Sequence, residues 1–234
     1  MGPIEKQILA LVRKANPINP LGYAGEIVKD YARQKLDSNL ATFHEQGAFP
    51  FHTVTRGPIN ADLLVINNGA TDEQAQLNQS IVRSMEGTQA IVDVENVLDF
   101  VGFDRKNVFY IDAINRVTYR EISGNIQVRN ATQHEIKQAR PIVANAIDIV
   151  KPKAILLLGA QANNMFNQSV ALAKVKGEVR YYGNIPMMSV YHPDYFRHIK
   201  GKRSDQEIEL LQKMFCDNVS KLIETAELSN NTHS

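Results

Sequence analysis

The chain has 234 residues, a formal net charge of +1, 44% hydrophobic residues and 22% charged residues. These values are typical of a folded domain, and they exclude binding to nucleic acid through overall charge. The single cysteine, Cys216, excludes a disulfide framework and a zinc or iron–sulfur centre built on cysteines. No apolar run reaches the length of a membrane span and no secretory signal pattern is present, so we expect a cytoplasmic protein without membrane contact.

Apolar strands and amphipathic helices alternate along the chain. We expect one domain over 1–234, with an N-terminal helical extension over 1–45 and a core over 53–222. Strands are predicted at 61–67, 107–115, 154–159 and 186–191, with a short edge strand or hairpin arm at 178–183. Helices are predicted at 88–103, 132–152 and 204–226, the second opening with a Thr132–Glu135 capping box. The pattern predicts an α/β fold of three layers, with a mainly parallel four-stranded sheet between helices.

Polar residues follow each of the four predicted strands. The strand ends read "INNGATDEQ", "DAINR", "LGAQ" and "YHPDYFRH" in chain order. Ligand and catalytic groups of open α/β sheets collect outside the carboxyl ends of the strands, so these ends predict one shared site. The fourth end is followed by positive charge at Arg197, Lys200, Lys202 and Arg203.

"HPDYFRH" resembles the second signature of the uracil-DNA glycosylase superfamily, in which a strand ends at a histidine and leads into a loop that enters DNA. "NADLLVINNGATDE", "NVFYIDAINR" and "KPKAILLLGAQA" are similar to strands and loops of its family-four members. The similar segments occur in the family's order over roughly 53–222, which is more specific than a single motif. The resemblance implies a DNA glycosylase with DNA as its partner, and we expect it to act as a monomer.

The chain also departs from the family-four pattern. Those enzymes hold an iron–sulfur cluster on four cysteines, so with one cysteine we expect no cluster, no metal and no other cofactor. Their Gly-Glu-Ala-Pro-Gly loop is replaced by "NNGAT", which places Asn68 or, with a one-residue slip, Asn67 at the catalytic position. An amide orients a water molecule but does not take its proton, so catalysis is expected to depend on electrostatic stabilisation.

The resemblance implies roles for the residues at the other strand ends. His192 is expected to donate a hydrogen bond to the departing base, whose negative charge develops as the glycosidic bond breaks. Asp112 or Asn115 is expected to read the base, although a local cap explains each equally well. Gly69 is placed in the base pocket. Ile81 falls where the family carries an aromatic that stacks on the base, a role that Phe49 or Phe51 could take instead.

The segment after His192 is expected to contact DNA. Tyr195, Phe196 and Arg197 correspond to the loop that fills the space left by the flipped nucleotide. Lys200, Lys202 and Arg203 are suited to phosphate contacts, although a solvated charged face is the simpler interpretation. Asp194 replaces the family's serine, which puts the phosphate contact of that position in doubt.

Two functions from different classes follow. The first is a monofunctional DNA glycosylase that removes uracil or an enlarged or modified pyrimidine, such as those of some viral DNA, for repair or for defence against foreign DNA. The alternative is a DNA-binding or inhibitory module of the same fold with a decayed site. A nucleotide-binding enzyme is disfavoured because the sequence has no glycine-rich phosphate loop.

Overall fold

A computed structural model describes residues 55–58, 60–69, 89–114, 119–122, 125–166 and 170–228. The strands are β1 (Thr55–Arg56), β2 (Leu63–Asn67), β3 (Val108–Asp112), β4 (Tyr119–Ile122), β5 (Asn125–Val128), β6 (Ala154–Leu158), β7 (Val179–Tyr182) and β8 (Ile185–Val190). The α-helices are α1 (Gln89–Phe100), α2 (Gln133–Val150), α3 (Gly159–Phe166), α4 (Leu172–Val175), α5 (Asp194–Ile199) and α6 (Asp205–Thr225). The predicted N-terminal helical extension lies outside the described residues and stays a prediction.

Six of these strands form one sheet in the order β1-β3-β2-β6-β8-β7. The four inner strands are parallel, whereas β1 and β7 pair antiparallel at the two edges. The inner strands are the four that the sequence predicted, and β7 lies within the predicted edge segment 178–183. The mainly parallel sheet is therefore confirmed, and its two edge strands raise the predicted number of strands from four to six.

Helices cover both faces of this sheet. Leu64 and Ile66 of β2 belong to a core cluster that includes the apolar stripe of α2. Leu63 and Val65, which alternate with them, belong to a second cluster with α1 and α6. Because successive side chains of a strand point to opposite faces, a fully apolar strand fills two cores at once. The predicted three-layer arrangement is confirmed.

A separate hairpin, β4–β5, lies between β3 and α2 in the chain and was missed by sequence reasoning. Tyr119 pairs with Val128 and Ile122 pairs with Asn125. The signal was present in "YREISGNIQV", where two strand-forming runs flank a Ser-Gly pair. Among the helices of the described ranges, none is both long and apolar enough to cross a bilayer.

The predicted capping box of α2 is confirmed and is joined by an arginine. The Thr132 hydroxyl accepts a hydrogen bond from the Glu135 backbone N–H, while the Glu135 carboxylate accepts from the Thr132 backbone. Arg129 donates to both carboxylate oxygens of Glu135, at 2.8 and 3.0 Å. Burial alone would raise the pKa of Glu135, but the bonds from Arg129 and Thr132 lower this pKa below its ordinary value.

We expect Glu135→Gln to lower the free energy of unfolding near neutral pH by about 2 kcal/mol, because a buried charge-assisted pair with Arg129 is lost. The depressed pKa means that the contribution of Glu135 is complete above the ordinary carboxyl pKa. It is lost as pH falls through the lower pKa of the folded state. Urea denaturation of both proteins at neutral and acidic pH measures this, and the two stabilities should converge in acid.

Glu207→Gln is the matched control, because Glu207 occupies the same position in the capping box of α6 but is exposed. Its effect on stability should be smaller than that of Glu135→Gln. Equal effects of the two variants would show that burial and Arg129 add nothing to the capping box.

Candidate active site at the carboxyl edge of the sheet

Three predicted site residues meet where the parallel strands end. Asn67 and Asp112 are register partners at the ends of β2 and β3, and His192 follows β8 by two residues. Asn67 Nδ2 donates to Asp112 Oδ1 at 2.9 Å, and Asn67 Oδ1 lies 2.9 Å from His192 Nε2. The exposed fractions of Asn67 and Asp112 are 0% and 1%, so this contact lies beneath the surface of the site.

These contacts indicate which tautomer of His192 fits its surroundings. The backbone N–H of Asp194 donates to His192 Nδ1 at 3.2 Å, so Nδ1 acts as an acceptor. Asn67 presents its amide oxygen to Nε2 because its amide nitrogen donates to Asp112. Both contacts are satisfied by a neutral imidazole with its proton on Nε2. This tautomer donates from Nε2, the nitrogen that faces Asn67.

The two adjacent asparagines have different environments. Asn68 Oδ1 accepts from the backbone N–H of Gln161 at 2.7 Å, and Gln161 Nε2 donates to the Asn68 carbonyl at 3.2 Å. Gln161 Oε1 in turn accepts from the backbone N–H of Ala131 at 2.6 Å. Asn68 thus fastens the end of β2 to the first turn of α3, while Asn67 faces the histidine. Sequence reasoning missed Gln161, although it noted the polar strand end "LGAQ".

Gly159 allows Asn68 and His192 to lie close to the start of α3, because it has no Cβ. Its φ is +88°, and a Cβ there would lie 2.9 Å from Asn68 Oδ1 and 3.2 Å from His192 Cβ. Gly69, another predicted pocket residue, is buried with φ +132° and lies near Ile114 and Gln161. Both glycines therefore allow backbone positions at the strand ends that larger residues would not adopt without strain.

The segment after His192 is only partly directed toward solvent. Tyr195 stacks on Tyr191 with ring centroids 4.5 Å apart. Phe196 packs edge-to-face against Phe215 of α6, at 5.9 Å, and joins the core beneath the sheet. Lys200 and Lys202 are exposed, and Arg203 is exposed beside Glu207 at 3.3 Å.

Arg197 differs from the other basic residues because two carboxylates hold it. Nη1 donates to Asp93 Oδ2 of α1 at 2.5 Å, and Nη2 donates to Asp194 Oδ1. Burial alone would lower the pKa of Arg197, but the bonds to Asp93 and Asp194 raise it above its ordinary value. A phosphate group would have to displace a carboxylate to reach this guanidinium.

Asn115 and Ile81 lie outside the described residues, as do Phe49 and Phe51, so their pocket roles stay predictions. Within the described ranges, no group of three histidine, cysteine, aspartate or glutamate side chains is arranged to hold a metal ion. Cys216 is half-buried on α6, and burial raises the pKa of its thiol.

Comparison with known families identifies the class of protein. The sequence model of the family described as the Uracil DNA glycosylase superfamily matches residues 75–215, which is more than half of the chain. The chain therefore belongs to the Uracil DNA glycosylase superfamily, a membership that indicates a DNA glycosylase-type function and DNA binding. The matched range includes Asp112 and His192 and begins after Asn67 and Asn68. No curated protein matches the chain.

Gly159→Ala should lower the free energy of unfolding by about 1 kcal/mol more than Gly183→Ala. Alanine at 183 would adopt φ +59°, within the allowed left-handed region, whereas alanine at 159 would adopt φ +88°, outside it, so the backbone cost is also greater at 159. Only the Cβ at 159 meets a neighbour, because nothing lies within 4 Å of a Cβ at 183. Urea denaturation of the two variants measures the difference, and equal losses would show that the contact with Asn68 is relieved without cost.

Lys200→Ala and Lys202→Ala should each weaken DNA binding and reduce the log–log salt slope by about one, if each lysine contacts a phosphate. Lys106→Ala is the matched control, since Lys106 is exposed just before the amino end of β3, whereas the candidate site lies at the carboxyl ends of the strands. Binding isotherms over a series of salt concentrations measure the slope. An unchanged slope in both test variants would show that these lysines are solvated surface residues that do not contact phosphate.

Proposed function

We propose that this protein is a monofunctional DNA glycosylase. It flips uracil or a modified or enlarged pyrimidine out of DNA and hydrolyses the N-glycosidic bond to leave an abasic site. The observation that carries the proposal is the contact between His192 Nε2 and Asn67 Oδ1, which holds the imidazole and the amide together at the carboxyl ends of the parallel strands. Membership of the superfamily supports the same reaction class.

The chemistry follows from where charge develops. Breaking the glycosidic bond leaves an oxocarbenium-like sugar and a base that carries negative charge. His192 Nε2–H would transfer its hydrogen bond from Asn67 Oδ1 to a carbonyl oxygen of the base as this charge forms. A donor already held in place needs little reorganisation at that moment, which is how such sites lower a barrier.

Asn67 has a second part in this proposal. Its amide nitrogen is fixed by Asp112, so its oxygen is the end that faces His192 and the site. When the base takes the His192 bond, this oxygen becomes available to orient the attacking water. Asp112 then acts through Asn67 by setting the direction of the amide, since its own carboxylate is almost fully buried.

One observation favours the alternative of a DNA-binding module with a decayed site. Each of the two asparagine side-chain oxygens already accepts or faces a protein donor, Asn67 at His192 and Asn68 at Gln161. A site that keeps these bonds when DNA is bound would orient no water. Binding without cleavage across a wide set of bases is the result that this alternative expects.

The proposal is tested with His192→Ala in single-turnover cleavage of oligonucleotides that carry uracil, hypoxanthine, thymine mismatches or modified cytosines. Loss of one preorganised donor should lower the cleavage rate by about 10²–10³-fold. DNA affinity should change little, because it comes mainly from phosphate contacts. Alkaline cleavage at abasic sites reports the product.

Asn67→Ala and Asn68→Ala separate the two asparagines in the same assay. The proposal expects Asn67→Ala to lower the cleavage rate more than Asn68→Ala does. Asn68→Ala should mainly lower the free energy of unfolding. Cleavage at the wild-type rate by His192→Ala would overturn the mechanism. Absence of cleavage by the wild-type protein on every substrate, with DNA binding retained, would support the decayed module.

A further inference from the structure

A continuous series of polar contacts leads from α1 to His192. Gln89 Nε2 donates to Asp93 Oδ1 at 2.8 Å, and the other oxygen of Asp93 accepts from Arg197. Arg197 also donates to Asp194 Oδ1, while Asp194 Oδ2 lies 3.4 Å from His192 Nδ1. Charges of opposite sign thus alternate along Asp93, Arg197 and Asp194, and the Asp194 carboxylate lies beside the imidazole.

Asp194 acts on His192 in two opposing ways. Its backbone N–H donates to Nδ1, which requires an unprotonated Nδ1 and therefore a neutral ring. Its carboxylate, 3.4 Å from the same nitrogen, favours a protonated Nδ1 and therefore a charged ring. A protonated Nδ1 would also place two N–H donors against each other. The balance depends on how far another cation neutralises the carboxylate.

Arg197 is placed to supply that neutralisation. Its two terminal nitrogens bind the carboxylates of Asp194 and Asp93, and α1 thereby fixes its position. Within the described residues, the Asp112 carboxylate of β3 also acts on the ring, across the neutral amide of Asn67. Removal of Arg197 would leave the carboxylates of Asp93 and Asp194 without this shared cation.

We propose that Arg197, anchored by Asp93, is a positioning residue that occupies the Asp194 carboxylate and so keeps His192 neutral with its proton on Nε2. Its contribution to the site is internal and is not a phosphate contact. The proposal rests on the proposed function for the use of the Nε2 proton, but the state of the ring is a property of the protein without DNA.

The test measures the ring of His192 directly, by long-range ¹H–¹⁵N correlation on protein labelled at histidine. The chain has six histidines, and the signal lost in His192→Gln identifies the residue. We expect the wild-type ring to be neutral with the proton on Nε2 near neutral pH. Arg197→Ala should raise the midpoint of its titration by about one pH unit, because the freed carboxylate stabilises the imidazolium.

Three further variants make the result specific. Arg197→Lys should give a smaller shift, since a single ammonium still neutralises Asp194. Asp194→Asn combined with Arg197→Ala should return the midpoint close to the wild-type value, because the carboxylate is gone while the backbone N–H remains. Arg105→Ala is the matched control: it removes an arginine of similar exposure that pairs with Asp99, and should leave the midpoint unchanged.

An unchanged midpoint in Arg197→Ala, or a wild-type ring that carries its proton on Nδ1, would overturn the proposal. So would a reduced salt slope of DNA binding in Arg197→Ala without a titration shift, which would identify a phosphate contact instead. These measurements require no cleavage. A protein with the expected ring state but no glycosylase activity would keep this proposal and overturn the proposed function.

Discussion

The candidate site depends on the orientation of one buried amide. Asn67 lies between a carboxylate and an imidazole, with its nitrogen toward Asp112 and its oxygen toward His192. Rotating the amide by half a turn would set its oxygen against the carboxylate and its nitrogen against a ring N–H. The parallel register that places Asn67 beside Asp112 therefore also determines which atom faces His192. The register of β2 and β3 thus sets the hydrogen bonds of Asn67 in the candidate site.

The main elements could be predicted because their sequence signals are local. Strands buried on both faces are short apolar runs, and the Thr132–Glu135 capping box marks the start of α2. Because site residues of open α/β sheets collect outside the carboxyl ends of the strands, the sequence also predicted that Asn67, Asp112 and His192 lie close together. Other features depend on partners far apart in sequence: Arg197 meets Asp93 across 104 residues, and Asn68 meets Gln161 across 93. A string of basic residues gives no sign of which one pairs with carboxylates of its own chain.

The basic segment after His192 illustrates how a nearly neutral protein can divide its charges between tasks. Arg197, Lys200 and Lys202 are all exposed, but Arg197 also forms ion pairs with Asp93 and Asp194. A guanidinium suits this pairing because its planar fork binds two carboxylates at once. Residues that look equivalent in the sequence thus differ in the partners that they bind within the protein.

The edge-to-face contact between Phe196 and Phe215 has a consequence for motion. Phe196 lies four residues after His192, and Phe215 is buried on α6 among the residues that cover the sheet. Movement of this ring away from its place breaks its contact with α6. Helix α5 should then open together with α6 as one cooperative unit, and its amide hydrogens should exchange at rates set by α6. Moving α5 when a ligand binds would therefore cost the free energy of the packing between Phe196 and Phe215.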